Sequence, residues 1–150
     1  MNEAIELTRL THELLTNYTK ETLHAAVDAF RAAVRENKTV YLLCSAEAAA
    51  EMARTGGLDR VVLMRSHYGA NPSLPLFTNQ ELIRKTGKPL VGIGIEFQNI
   101  LTRLVNEQPD WFSITLNPTE PKCGWEIRRE VIVNEFFASP NEENGAGSEN

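Results

Sequence analysis

Apolar residues recur along this chain in two patterns, one with the spacing of a helix and one with the spacing of a strand. Near the N-terminus, Leu7, Leu10 and Leu14 fall on one helical face and predict a short helix within residues 1–18. A stronger helix is predicted from Thr19, a residue type that caps helix N-termini, to about Asn37. Its expected buried stripe is Leu23, Ala26, Val27, Phe30, Ala33 and Val34.

The next part of the chain alternates short apolar runs with helix and turn signals. TVYLLC (39–44) and RVVLM (60–64) are apolar and rich in β-branched residues, so each predicts a strand. Between them, SAEAAAEMARTGG (45–57) opens with an N-cap residue type and stops at two glycines, as a short helix does. SHYGANPS (66–73) has turn chemistry and predicts an antiparallel return into LPLF (74–77).

A helix start follows directly after LPLF. Thr78 and Glu81 have the spacing of a capping box, in which the threonine accepts from one backbone amide and the glutamate reaches back to another. Gly87 and Pro89 then stop this helix early. The same N-terminus offers a polar ligand free amides and a favourable dipole, so Thr78 and Glu81 are candidate ligand-binding residues.

The last third of the globular part predicts a strand, a helix and a strand. PLVGIGI (89–95) is an apolar segment whose glycines either allow close backbone approach or open the next helix. Residues 97–105 form an amphipathic helix that ends before Pro109. WFSITLNP (111–118) alternates as a strand and stops at an Asn-Pro turn.

The segment WEIRREVIVNEFF predicts a strand over Trp125 to Arg128 and then a helix, although a continuous β-rich interpretation of REVIVNEF also fits its alternation. Residues 138–150 have no apolar anchor and are expected to form a disordered acidic tail. The predicted fold is a single α/β (α+β) domain over residues 1–137, with helices packed on a mixed sheet of about five strands. The predicted final helix buries Ile132, Val133, Phe136 and Phe137.

Composition narrows the classes of partner. Fifteen basic against twenty acidic residues give a net charge of −5, which argues against nucleic acid or an anionic membrane as a partner. No apolar run approaches the roughly 20 residues of a membrane span, and no secretory signal is evident, so a cytoplasmic location is expected. Two cysteines, Cys44 and Cys123, match neither a disulfide framework nor a zinc site.

Catalytic and cofactor signatures are also missing from the sequence. Gly92 to Gly94 (GIG) is too sparse for a nucleotide loop, and no cofactor is expected. His12, His24 and His67 are too scattered for a known metal motif. Cys44 with one of these histidines would make a nucleophile and base only if the two met in space, and a cysteine ending an apolar strand is usually a buried hydrophobe.

The run LPLFT, the helix after it and the strand closing on LNP resemble the SseB N-terminal domain family. The matching positions are Pro75, Phe77, Thr78, Asn117 and Pro118, and the likeness is best between about residues 40 and 118. The resemblance implies a bacterial α/β domain without established enzymatic activity, acting in protein interaction or regulation. Some members of that family carry a second, C-terminal domain, for which this chain is too short.

Two kinds of site follow as hypotheses. A small-molecule or enzyme pocket would lie near Thr78, Gly92, Gly94 and Asn117, because open α/β sheets bind ligands at strand carboxyl ends. A protein interface or self-association surface would use Trp125, Phe136 and Phe137. Adjacent phenylalanines on one helix cannot both face the core, so one is expected to project toward a partner or a second copy.

Overall fold

The structure is a computed structural model that describes residues 3–107, 110–118 and 124–137. It confirms a single-domain α/β fold with a mixed sheet and helices packed against it. Among these residues, no helix is long and apolar enough to cross a membrane. The helices are α1 (Ile5–Thr16), α2 (Lys20–Arg35), α3 (Ala46–Thr55), α4 (Gln80–Arg84), α5 (Phe97–Asn106) and α6 (Arg129–Ile132), followed by a π-helical C-terminal turn (Val133–Phe137).

Among the described residues, the sheet contains six strands, with β4-β1-β3-β5-β6 in that order and the short β2 paired with β3. β3 and β5 run parallel and all other pairs are antiparallel. The predicted hairpin between β2 and β3 is confirmed, with Met64 opposite Ser73 and Arg65 opposite Pro72. The strands are β1 (Thr39–Cys44), β2 (Met64–Arg65), β3 (Pro72–Phe77), β4 (Val91–Glu96), β5 (Ser113–Leu116) and β6 (Trp125–Arg128).

The two faces of the sheet differ in chemistry. On the major face, side chains such as Leu42, Leu76 and Ile114 pack with α1, α2, α5 and α6 in the main core. On the minor face, Tyr41 and Phe77 pack with Ile83 of α4 in a smaller cluster. Every residue of β5 is buried rather than every second one, because Ile114 and Leu116 lie in the main core and Ser113 and Thr115 are buried on the minor face.

Most predicted elements are confirmed, with shifts at their ends. Thr19 caps α2, and Ser45 and Gly56 bound α3 as expected. Only Met64 of the predicted strand 60–64 lies in β2. Val62 instead donates a single backbone hydrogen bond to the carbonyl of Leu43, which anchors the segment without a ladder. The expected tail, 138–150, and Cys123 lie outside the described residues.

The final segment is a strand followed by a helix, so the continuous β-rich interpretation is wrong. Trp125 to Arg128 pair with β5, and the chain then turns helical at Arg129. Of the residues expected inside this helix, Ile132 is fully buried, while Val133 and Phe136 are half-buried. Phe137 is exposed, so its predicted burial is wrong, because two adjacent helical residues cannot both face the core, and one of the two phenylalanines projects outward in line with the alternative expectation.

Candidate functional site

Thr78 and Asn117 meet at the carboxyl ends of the parallel strands β3 and β5. Asn117 Oδ1 accepts a hydrogen bond from the Thr78 backbone N–H at 2.9 Å, and Asn117 Nδ2 donates to Thr78 Oγ1 at 3.0 Å. Thr78 Oγ1 also lies 2.5 Å from Thr8 Oγ1 on α1. Thr78 is 0% exposed and Asn117 is 4% exposed. These polar groups are satisfied inside the fold, and their assignment to ligand binding stays a prediction.

The predicted capping box is wrong, because the helix begins one residue later than expected. Asn79 is the N-cap of α4, and its side chain accepts from the backbone N–H of Glu81 at 2.7 Å. The Glu81 carboxylate pairs instead with Arg84 at 2.6 Å, on the exposed face of the same helix. Since Thr78 already bonds to Asn117 and Thr8, its hydroxyl serves tertiary packing rather than the cap.

Gly92 and Gly94 do not join Thr78 and Asn117 in one pocket. They lie on β4, which β1 separates from β3 in the sheet. A Cβ atom at Gly92 would lie 2.5 Å from Ile83 Cδ1, and one at Gly94 would lie 3.3 Å from the Tyr41 ring. Neither glycine opens the next helix, which begins at Phe97, and the groups packed closely against them are side chains rather than another backbone.

The C-terminal aromatic residues divide between core and surface. Trp125 and Phe136 both pack against Phe30 of α2, with ring centroids at 6.0 and 5.7 Å. Phe137 remains 39% exposed. Trp125 and Phe136 therefore lie at the boundary of the main core, and Phe137 is the member of the predicted interface with the largest exposed fraction.

A cleft of about 510 Å³, the C-terminal cleft, opens between α2, α5 and the C-terminal turn. The Arg31 guanidinium binds the Glu135 carboxylate at 2.7 Å and so ties the turn to α2. Arg35 makes no side-chain hydrogen bond or ion pair with any residue of the described ranges, so its charge is available at the rim. The apolar lining comes from Val34, Leu101, Phe136 and Phe137.

A second polar cluster, which we call the Glu126 network, lies on the minor face. The Glu126 carboxylate accepts hydrogen bonds from the hydroxyls of Ser66 and Ser113 and from the His67 backbone N–H at 2.8 Å. His67 Nδ1 lies 2.9 Å from the same carboxylate. The Glu126 side chain is only 4% exposed, whereas the His67 side chain is 51% exposed. A buried carboxylate thus orients a histidine at the surface.

Hydroxyl groups extend this network along the sheet. Ser113 Oγ lies 2.7 Å from Ser73 Oγ, which lies 2.7 Å from Thr115 Oγ1. Burial alone raises the pKa of the Glu126 carboxyl, but the hydrogen bonds from Ser113, Ser66 and His67 outweigh burial and lower it below the ordinary value. The carboxylate therefore stays ionised, and the network holds β3, β5, β6 and the turn after β2 together.

The Glu126 network was not predicted, yet the sequence carries a signal for it. Ser73, Ser113 and Thr115 are small hydroxyl residues at alternate positions of otherwise apolar strands, and Glu126 alternates with Trp125 and Ile127. Period-two alternation places such residues on one face of a sheet. Because β3 and β5 are adjacent and in register, these positions meet across the sheet.

Among the described residues, no hydrogen bond joins Cys44 to His12, His24 or His67, and Cys44 is the buried hydrophobic residue that the sequence favours. Cys44 is 0% exposed and packs with Ala48 and Met52 of α3, and burial raises the pKa of its thiol. His12 and His24 are exposed on the first two helices. Within residues 3–107, 110–118 and 124–137, no group of three or more His, Cys, Asp or Glu side chains is placed to hold a metal ion.

Comparisons of the chain with protein-family models, with curated proteins and with solved structures give no match. The resemblance to the SseB N-terminal domain therefore stays a prediction from the motif residues. The C-terminal cleft and the Glu126 network are both candidates for a functional role. The network is largely buried, while the cleft is open and bordered by an exposed aromatic ring.

Proposed function

We propose that this chain is a non-catalytic, SseB-like protein-interaction domain of the bacterial cytoplasm and that it binds a segment of a partner protein in the C-terminal cleft. The observation that carries the proposal is the exposed Phe137 at the edge of this cleft. Aromatic side chains beside apolar pockets are enriched among the residues that dominate protein interfaces.

The charge at the cleft defines the chemistry of the bound segment. The chain as a whole carries −5, but Arg31 and Arg35 project from α2 at the cleft. Arg31 already has Glu135 as its partner, whereas the Arg35 guanidinium is unpaired among the described residues. A short amphipathic segment with apolar side chains for the cleft and a carboxylate for Arg35 fits this arrangement.

The experiment is selection of peptides from a random display library against the purified chain, followed by fluorescence anisotropy with the selected peptides. We expect acidic, amphipathic peptides. Phe137→Glu removes an apolar contact and adds a like charge, and Arg35→Glu reverses the rim charge, so each variant should weaken binding at least about tenfold.

Lys85→Glu is the matched control, because Lys85 follows α4 on the minor face and is exposed. It makes the same charge reversal as Arg35→Glu, far from the cleft, and should leave the dissociation constant unchanged. Selected peptides that bind all three variants as tightly as the parent chain would refute the cleft as the binding site. Circular dichroism of each variant checks that the fold is retained.

A further inference from the structure

In the described part of the chain, the outer edge of β4 is unpaired, and it is separate from the C-terminal cleft of the proposed function. β4 is the terminal strand of the sheet, and no described residue pairs with its outer side. The strand is six residues long and has the sequence VGIGIE, with its single charge at the end. Exposed strand edges are usually protected by lysine, proline or a bulge, because unpaired backbone groups recruit other strands. None of these devices occurs within β4.

The hydrogen-bonding pattern identifies which groups point outward. The backbone N–H of Phe97 donates to the carbonyl of Lys38. In an antiparallel pair, residues alternate between bonding to the neighbour and pointing away from it. Because Thr39 lies opposite Glu96, the residues of β4 that bond to β1 are Val91, Ile93 and Ile95. The N–H and C=O groups of Gly92 and Gly94 and the N–H of Glu96 therefore point away from β1, while the C=O of Glu96, the N-cap residue, accepts the first hydrogen bond of α5.

The opposite edge of the sheet differs. β6 is four residues long and places Glu126 and Arg128 among its side chains. Short length and charged side chains protect a strand edge against pairing with another chain, and β6 has both. β4 instead has glycines at two of its three outward positions. Gly94 is exposed, so a second backbone can approach its outward groups without meeting a side chain.

We propose that β4 pairs antiparallel with β4 of a second copy of this chain, about a two-fold axis at Gly94, and so joins two sheets into one. This register is the one that places every outward residue of one strand opposite an outward residue of the other, because Gly92 of each copy meets Glu96 of the other. A two-fold interface must be self-complementary, and here neither glutamate faces the other copy's glutamate.

The side chains on the major face fit the same register. Ile93 of one copy lies opposite Ile95 of the other, in a non-hydrogen-bonded pair, where side chains approach closely. Both isoleucines are half-buried in the single chain, so pairing would bury apolar surface that is now in contact with solvent. The backbone groups and the side chains of β4 therefore favour the same partner, β4 of a second copy, in the same register.

Light scattering after size-exclusion chromatography, across concentrations from about 10 μM to about 1 mM, tests the association, and amide hydrogen exchange locates it. We expect a dimer that grows with concentration. The amides of Gly92, Gly94 and Glu96 should exchange more slowly as it forms, while those of Ile93 and Ile95, already bonded to β1, should not change. A monomer throughout, or a dimer without protection of the three outward amides, would overturn the proposal.

Glu96→Pro supplies a variant that should fold normally. The φ of Glu96 is −71°, which proline adopts, and its side chain makes no capping hydrogen bond. Proline removes only an outward N–H, so the dimer dissociation constant should rise at least about tenfold. Glu96→Ala keeps the N–H and should leave the dimer intact. A dimer lost in Phe137→Glu but not in Glu96→Pro, or amide protection that appears only with another protein, would contradict pairing between copies.

Discussion

At the residue scale, Asn117 combines a backbone requirement with a side-chain requirement. Its φ of 51° lies in the left-handed region, which asparagine tolerates better than most residues. Its side chain then accepts from the Thr78 amide and bonds to the Thr78 hydroxyl. One residue therefore ends β5 and ties it to the end of β3.

We predict that Asn117→Ala lowers the free energy of unfolding by about 2–4 kcal/mol, because it leaves the buried Thr78 amide unsatisfied and places alanine at a positive φ. Asn117→Gly removes the same hydrogen bonds but accepts the backbone angle, so it should cost about 1 kcal/mol less than alanine. Urea denaturation measures both variants. Equal free energies of unfolding for the parent chain and Asn117→Ala would show that neither the side-chain hydrogen bonds nor the positive φ of Asn117 contributes to stability.

Single residues were predicted unevenly from the sequence. Thr19 and Ser45 were identified as helix caps, because N-cap preferences are local. Thr78 was assigned to the cap that Asn79 provides, because its tertiary partners Thr8 and Asn117 are distant in the sequence. Local spacing cannot reveal that a hydroxyl is already engaged elsewhere in the fold.

At the scale of elements, α4 packs onto β4 through a contact that needs the absence of a side chain. Ile83 Cδ1 occupies the place that a Cβ atom at Gly92 would need, at 2.5 Å. Gly92→Ala should therefore cost about 1–3 kcal/mol of stability through overpacking.

Ile83→Val removes the obstructing methyl group, which makes it a matched partner for this test. Alone it should cost about 0.5–1.5 kcal/mol. In the double variant the alanine methyl fills the vacated space, so the combined loss should be clearly smaller than the sum of the single losses. Additive losses, measured by urea denaturation, would mean that Gly92 is needed for another reason.

Helices with a regular spacing of apolar residues were predicted well from the sequence. Strands whose length depends on the neighbouring strand were not. The spacing of apolar residues identified α2 and α5, because one buried stripe per helix suffices for that prediction. RVVLM predicted five strand residues where β2 has two, since strand length depends on which neighbour offers an edge. Strand order was likewise open, because register between distant segments is tertiary information.

At the scale of the whole molecule, the Glu126 network makes stability depend on pH. A carboxyl whose pKa is lowered by folding stabilises the native state above its unfolded pKa and loses that contribution as pH falls through its folded pKa. We predict that the free energy of unfolding falls as pH drops below the ordinary carboxyl value of 4.5. Denaturant unfolding at a series of pH values measures this slope.

Glu126→Gln isolates the contribution of this carboxyl from that of all others. Glutamine retains the shape and one acceptor oxygen but cannot ionise, so the variant should be less stable at neutral pH by about 1–3 kcal/mol. The difference from the parent chain should shrink as pH falls below 4.5. A difference that stays constant with pH would contradict a role for the ionised carboxylate.

The position of β1 in the sheet has a consequence for synthesis. β1 pairs on one side with β3 and on the other with β4, which ends at Glu96. Because translation proceeds from the N-terminus, TVYLLC is synthesised and emerges before β3 and well before β4. Until β4 has emerged, the nascent chain carries an apolar strand with an unpaired edge. The ribosome-bound chain must therefore keep this strand covered by its own helices or by a chaperone.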